Sequence, residues 1–128
     1  MEINKEELFL VYKEISAWPQ NWNQRHWAID YDKLREAGFH VAERYCGTAY
    51  CFAGHTVMRN GWTPQWDANG QARYATNPEI HVAESISYTA RKILGLCEGD
   101  AAELFSPDNT IEMIREKIIE LTGEDPAA

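Results

Sequence analysis

Apolar residues recur at helical spacing in three separate segments, and this periodicity restricts the fold more than any other feature of the chain. Spacings of three and four residues put side chains on one face of a helix, so the pattern predicts amphipathic helices around a shared core. The segments span residues 5–17, 83–94 and 111–121. Their apolar positions are Leu8, Val11, Tyr12 and Ile15; Ala83, Ile86, Ala90, Ile93 and Leu94; and Ile111, Ile114, Ile118 and Leu121.

The ends of the predicted helices carry start and stop residues. Asn4 is a suitable N-cap for the first helix, because its side-chain oxygen accepts a backbone N–H, and Pro19 ends that helix. Asn109 or Thr110 caps the last helix, and Gly123 ends it. Three shorter helices are predicted at residues 32–37, 48–60 and 98–105.

A small β-hairpin is predicted at residues 62–75. The run Asp67-Ala-Asn-Gly70 has the composition of a tight turn, and strand-favouring aromatic residues flank it. Residues 19–30 show no clear period and are predicted to form a long loop. The expected fold class is therefore mainly α (α+β), a compact domain of four to six helices with one hairpin.

The length of 128 residues fits one domain, which we expect to span residues 1–125 with a frayed tail at 126–128. A chain of this size buries about two-thirds of its unfolded surface, so its core requires neither a disulfide nor a metal. No apolar run approaches the roughly 18 residues of a membrane span, and the acidic start is unlike a signal peptide. Three cysteines, an odd number, favour reduced thiols and a cytoplasmic location.

The net charge of −8 is concentrated in the C-terminal quarter. Residues 1–97 contain eleven acidic and ten basic residues, whereas residues 98–128 contain nine acidic residues and only Arg115 and Lys117. Such a surface repels phosphates and anionic lipid and attracts basic partners. Nucleic acid and membrane are therefore not expected as partners.

The segment Cys46–Gly61 contains the residues with the most obvious chemistry. Thr48 is the expected N-cap of its helix and Gly61 the expected stop. Cys51 and His55 are four residues apart and share a helix face. Cys46 lies just upstream, where a helix dipole favours a thiolate. This arrangement suits a metal, a nucleophile, or neither.

A zinc site is the first interpretation of this segment. Cys51 and His55 form a plausible ligand pair, which Cys46 extends to three ligands. A fourth ligand is available from Cys97, His40 or His81. The spacing matches no standard zinc finger, however. The alternative is that Cys51 is a small buried apolar residue and His55 a surface or hydrogen-bonded one.

A cysteine nucleophile is the second interpretation. The run from Cys46 to Ala53 loosely resembles the nucleophile helix of papain-like peptidases, including the bacteriocin-processing branch. That resemblance implies Cys46 as nucleophile and His81 as base. Only 34 residues separate the two, less than the papain-like arrangement needs. The alternative is that Cys46 and Gly47 form a tight entry to the helix.

Five tryptophans and an acidic helix face are the candidate binding surfaces. The tryptophans either cover the helical core or form a binding patch, since large aromatics dominate both cores and interfaces. The acidic face is either a solvated surface or a docking surface for a basic partner. The residues concerned are Trp18, Trp22, Trp27, Trp62 and Trp66, and on the acidic face Glu112, Glu116 and Glu120.

The phrase Cys-Gly-Thr-x-x-Cys-x-Ala-Gly at 46–54, followed by Leu-Gly-Leu at 94–96 and Leu-Phe at 104–105, is similar to a known group. The group comprises small uncharacterised proteins from actinobacteria and their phages, and the resemblance covers residues 18–106. A tryptophan often stands there in place of His55, which argues against His55 as a ligand basic to the fold. The resemblance implies a phage-like origin but no activity.

These observations favour a non-enzymatic protein–protein interaction module over an enzyme. Its partner is expected to be another protein with a basic or aromatic-accepting surface, and no cofactor is expected. A phage-encoded module would act on a host protein. The alternatives are a cysteine-dependent hydrolase using Cys46 and a zinc-binding domain using Cys46, Cys51 and His55. The oligomeric state is not encoded in any pattern of this chain.

Overall fold

Six helices and six short strands make up the computed structural model, which describes residues 2–128. The helices are α1 (Lys5–Ala17), α2 (Tyr31–Glu36), α3 (Phe52–Arg59), α4 (Ile86–Leu94), α5 (Glu98–Leu104) and α6 (Ile111–Thr122). The strands are β1 (Ala28–Asp30), β2 (Thr48–Tyr50), β3 (Thr63–Pro64), β4 (Gln71–Ala72), β5 (Tyr74–Thr76) and β6 (Ala83–Ser85). The elements form one compact α+β domain, as the sequence predicted.

The predicted first and last helices are confirmed together with their caps. The side chain of Asn4 accepts the N–H of Glu7, and α1 ends at Ala17, before Pro19. Thr110 caps α6 by accepting the N–H of Met113, and Gly123 ends it with φ of 78°. These signals were readable because a cap acts within one turn of its helix.

The predicted helix at 48–60 is wrong at its start. Thr48–Tyr50 is strand β2, and the N-cap is Cys51 and not Thr48. The Cys51 thiol accepts the N–H of Gly54 at 3.4 Å, while β2 pairs with β1. Cys46 therefore precedes a strand, and the helix-dipole argument for its thiolate no longer applies.

Two three-stranded antiparallel sheets position the loops. The first has the order β2–β1–β4, with Ala28 opposite both Tyr50 and Ala72. The prediction that 19–30 is all loop is therefore wrong at β1. The second sheet has the order β3–β5–β6. The predicted helix at 83–94 is therefore wrong at its start, because Ala83–Ser85 is strand β6 and Ala83 is exposed.

The predicted hairpin at 62–75 is confirmed by the antiparallel pairing of β3 with β5. Its connection departs from a simple turn, because β4 leaves it to join the other sheet. The turn is held by Asp67, whose Oδ1 accepts the N–H groups of Asn69 and Gln71. Gly70 has φ of 77°, a conformation that glycine adopts without strain.

The main apolar core lies between α1, α3, α4 and α6, and a second, smaller cluster contains Ile29, Tyr31 and Ala49. Gly54 lets α3 approach the chain entering β1 closely, since a Cβ there would lie 2.0 Å from the Trp27 carbonyl oxygen. Pro126, which we expected in a frayed tail, is buried. Within residues 2–128 each helix is too short or too polar to span a bilayer.

Candidate functional site

An open groove of about 540 Å³ lies where the two sheets meet. It collects residues from both tryptophan-rich segments that the sequence singled out. Residues 25–28 form one wall, residues 71–74 form another, and Gln65 and Asp67 complete it. We call this surface the groove. The two segments are some forty residues apart in the chain, and strand pairing between β1 and β4 brings them together.

Trp27 is a fixed, half-buried part of the groove wall. Its indole packs edge-on against Phe105, with ring centroids 6.3 Å apart and planes at 86°. Its carbonyl oxygen faces the bare Cα of Gly54. An aromatic side chain that packs against a neighbouring ring on a closely packed backbone loses little further entropy when a ligand contacts it.

The other tryptophans are placed differently. Trp22, Trp62 and Trp66 are half-buried and pack against the core, whereas Trp18 is 58% exposed at the end of α1. The Trp22 indole donates to the side-chain oxygen of Gln24 at 3.0 Å. Trp66 lies between Gln65 and Asp67 in the sequence, but it does not line the groove itself.

Gln24 holds the segment before β1 in place. It is buried, and its amide group donates to the carbonyl oxygens of Leu104 and Ser106. Its oxygen also accepts the N–H of Phe52 at 3.1 Å. These bonds tie the segment to α3 and α5, so the wall that carries Trp27 has a rigid support.

Two arginines give the groove positive charge. Arg73 follows β4 and forms no ion pair in the part of the chain that the structure describes. Arg25 has only a long contact, 3.9 Å to Asp108, with both side chains largely exposed. His26 lies beside them, and burial together with the Arg25 charge lowers the pKa of His26. The sequence analysis therefore missed two arginines that lie close to aromatic residues in the chain. They are Arg25, near Trp27, and Arg73, directly before Tyr74.

The predicted zinc ligands have other roles. The Cys51 thiol is buried, and burial raises its pKa to about 12 despite nearby backbone N–H groups. Cys46 is exposed ahead of β2, and Cys97 is the exposed N-cap of α5. Among residues 2–128 no group of three or more His, Cys, Asp or Glu side chains is arranged to hold a metal ion.

Both ring nitrogens of His55 already have partners. Nε2 lies 2.9 Å from the carbonyl oxygen of Asn21, which only accepts, so Nε2–H is the donor. Nδ1 lies 3.1 Å from Glu14 Oε2, and this contact is a hydrogen bond when either Nδ1 or the carboxyl group carries a proton. Burial lowers the pKa of His55, and the contacts with Asn21 and Glu14 oppose that shift without overcoming it. The Tyr50 ring contacts His55 edge-on at 5.5 Å. His55 therefore links α1, the turn at Pro19–Asn21 and α3.

Cys46 and His81 are the nucleophile and base of the hydrolase interpretation. They lie in connecting segments of two different sheets. Cys46 is exposed in the segment before β2 of the first sheet. His81 is exposed in the connection between β5 and β6 of the second sheet, with φ of 55°. Neither side chain lines the groove.

The acidic region contains its own cations. Lys117 of α6 is 8% exposed, and its ammonium group contacts Asp100, Glu103 and Glu120. Burial by itself lowers the pKa of Lys117, but the hydrogen bonds that it donates to Glu103 and Asp100 hold this pKa above its usual value. The predicted acidic residues Glu112, Glu116 and Glu120 are all exposed.

Arg115 provides the second cation of this region. It donates to Asp125 at 2.5 Å and to Glu112 at 3.3 Å, and the Asp125 contact raises the pKa of Arg115. Glu124 pairs with Lys5, and Asp108 has the long contact with Arg25. Seven of the nine acidic residues at 98–128 therefore have a basic group within ion-pair distance.

Comparisons with known proteins find no match for this chain. No protein family matches the chain, and no curated protein or solved structure resembles it at a significant level.

Proposed function

We propose that this chain is a small, non-enzymatic protein–protein interaction module that acts in the cytoplasm and binds its partner in the groove. One observation carries the proposal: Trp27, Tyr74, Arg25 and Arg73 line the same open depression. Tryptophan, tyrosine and arginine are the residue types enriched in the energetic centres of protein interfaces. The cytoplasmic location is supported by three cysteines that are all unpaired.

The groove is pre-organised for binding. Trp27 is held by Phe105 and by the close approach to α3, and the chain around Arg73 is held by β4, β5 and a backbone bond from Ile86 to the Arg73 carbonyl. Tyr74 belongs to β5 yet is 53% exposed, so it offers contact area that a partner can bury. Pre-organised walls reduce the entropy lost on association.

The acidic face is the weaker candidate surface. Most of its carboxylates already contact Lys117 or Arg115, so a basic partner would compete with existing pairs. Glu103, Glu112 and Glu120 are largely exposed in these pairs, and ion pairs of exposed carboxylates contribute little energy in either direction. A basic partner at 98–120 would gain association rate more than affinity.

The proposal is tested by selecting ligands without assuming their sequence. A random peptide library displayed on phage is panned on the immobilised wild-type chain, and the selected clones are rebound to Tyr74→Ala. Tyr88→Ala is the matched control, because Tyr88 is 47% exposed on α4 and does not line the groove. We expect clones that lose at least about tenfold in affinity on Tyr74→Ala and stay within about twofold on Tyr88→Ala.

Two results would count against the proposal. Enriched clones that bind wild type and Tyr74→Ala equally would place the interface elsewhere on the chain. Clones that depend on Glu112, Glu116 or Glu120 and not on Tyr74 would favour the acidic face and a basic partner.

A further inference from the structure

We infer that the groove recognises an acidic segment of its partner, with carboxylates that bind Arg73 and Arg25 beside an apolar side chain that packs on Trp27 and Tyr74. This inference rests on the proposed function and specifies the chemistry of the partner. It runs against the net charge of the chain, which is −8 and by itself favours basic partners. Three features of the groove support it.

Arg73 is the first feature. It lies between β4 and β5, its carbonyl oxygen accepts the N–H of Ile86 at 2.9 Å, and its guanidinium has no ion-pair partner among residues 2–128. A guanidinium presents donors in a fixed fork that matches a carboxylate. An arginine on a fixed backbone without an internal acid is therefore a ready site for an external one.

Arg25 is the second feature. Its contact with Asp108 is 3.9 Å long, and the two side chains are 74% and 80% exposed. A contact of that length between solvated groups is weak and is exchanged easily. Arg25 is therefore available to a carboxylate that enters the groove from the partner.

Asp67 is the third feature, because it is the one acidic residue in the groove wall and forms no ion pair with either arginine. Its Oδ1 accepts the N–H groups of Asn69 at 2.8 Å and Gln71 at 3.0 Å. One oxygen of this carboxylate is thus occupied by the turn that it stabilises. The acidic residues Glu112, Glu116 and Glu120 do not line the groove.

The aromatic residues decide what accompanies the carboxylates. Trp27 is half-buried with its ring held edge-on against Phe105, and Tyr74 is half-exposed on the adjoining strand. A segment that placed only charges here would leave both rings in water. A partner segment with an aromatic or aliphatic residue between acidic ones contacts both the arginines and the two rings.

The test uses three synthetic hexapeptides, acetylated and amidated, with the sequences Glu-Glu-Phe-Glu-Glu-Gly, Gln-Gln-Phe-Gln-Gln-Gly and Lys-Lys-Phe-Lys-Lys-Gly. Each is titrated into the full chain at physiological salt, and binding is followed by calorimetry and by the shift of the Trp27 indole N–H resonance. We expect the glutamate peptide to bind at least about tenfold tighter than the lysine peptide and several-fold tighter than the glutamine peptide.

Charge-removing variants locate the contact. Arg73→Gln is expected to weaken the glutamate peptide by about tenfold and Arg25→Gln by less, because Arg25 exchanges an existing contact. Lys13→Gln is the control, since Lys13 is exposed on α1 outside the groove, and should change affinity by less than about twofold. If Arg73→Gln fails to fold, the three peptides measured on wild type still decide the charge preference.

The inference is overturned if the glutamate peptide binds no tighter than the glutamine peptide, or if Arg25→Gln and Arg73→Gln together leave its affinity unchanged. The proposed function survives that result if the glutamine peptide, or the phage-selected clones, lose binding on Tyr74→Ala. If none of the three peptides and no selected clone depends on Tyr74, both the inference and the proposed function fail.

Discussion

The groove and the acidic face differ in how their charges are satisfied. The acidic face has the larger formal charge, yet Lys117 and Arg115 pair with most of its carboxylates. The groove belongs to the nearly neutral part of the sequence, yet Arg73 in its wall has no internal partner in residues 2–128. A count of charges along the chain thus predicts that the acidic face has more charge available for binding. The ion pairs in the fold give the opposite order.

The difference teaches that charge available for binding is a tertiary property. The nine acidic residues at 98–128 predict a strong negative field, but the ammonium group of one buried lysine pairs with three of them. An arginine that folding leaves between two sheets keeps its hydrogen-bonding capacity for a ligand. Four substitutions or conditions test this comparison.

Gly54→Ala should have the largest effect, because it attacks the support of the groove. The new Cβ would meet the Trp27 carbonyl oxygen at 2.0 Å and the Tyr50 Cβ at 2.8 Å, so either α3 or the chain before β1 must move. We expect a loss of about 3 kcal/mol in the free energy of unfolding, measured by urea denaturation. Gly99→Ala is the control, since a Cβ there has open space, and should be neutral or slightly stabilising. A Gly54→Ala protein as stable as wild type would show that the close approach is not needed.

Lys117→Met should have the next largest effect and concerns the acidic face. Methionine keeps the buried apolar stem but leaves Asp100, Glu103 and Glu120 without their shared cation. We expect about 1 kcal/mol of destabilisation, a modest value because the carboxylates stay hydrated. Lys13→Met, at an exposed position of α1, should change stability by less than about 0.5 kcal/mol. Stabilisation by Lys117→Met would mean that burying the ammonium costs more than its pairs contribute.

Acidification should affect the surroundings of His26 and His55 before the ion pairs of the acidic face. Burial lowers the pKa of both His26 and His55 below the ordinary 6.5, so the unfolded chain binds these protons more readily. Their stabilising contribution is present above pH 6.5 and falls as pH drops through 6.5 toward the folded values. The pKa of Asp100 and of Asp125 is lowered by hydrogen bonds from Lys117 and Arg115, respectively, and those contributions disappear only at more acidic pH.

The measurement is the urea midpoint at pH 7.5, 6.0 and 5.0. Wild type should lose stability steadily over this range, and His55→Gln and His26→Gln should each flatten the dependence. A dependence that rises toward pH 5, or that is unchanged in both variants, would contradict the sign derived from burial.

Neutralising the acidic face should have the smallest effect. The triple change Glu112→Gln, Glu116→Gln and Glu120→Gln removes exposed charges, of which Glu116 has no ion pair among residues 2–128. We expect a change in stability below about 0.5 kcal/mol and unchanged binding of groove ligands. Loss of ligand binding in this variant, with Tyr74→Ala unaffected, would move the interface to the acidic face.

Much of the helical framework was predictable because its signals are local. The caps at Asn4 and Thr110 and the stop at Gly123 act within a turn of the helices that they bound. The sheet of β1, β2 and β4 was not predictable, since strands of two or three residues carry no period and pair with segments far along the chain. The same pairing moved the N-cap of α3 from the predicted Thr48 to Cys51.

The candidate site divides along the same line. The tryptophans were named from the sequence as binding residues, and one of them, Trp27, lines the groove. Arg25 and Arg73, which give the groove its charge, were not named. The sequence around Arg73 does not show that folding leaves this arginine without an ion-pair partner. The paired state of Lys117 was equally hidden, since Asp100 and Glu103 lie more than ten residues away.

The sequence by itself determined where the first and last helices lie, which faces they bury and where the hairpin at 62–75 turns, because these depend on spacing and on residues in immediate contact along the chain. Only the tertiary structure decided that residues 25–28 and 71–74 share a groove, that His55 is held by Glu14 and Asn21, and which charges are paired. The physical reason is that pairing and burial depend on distances in space between residues that are remote in sequence.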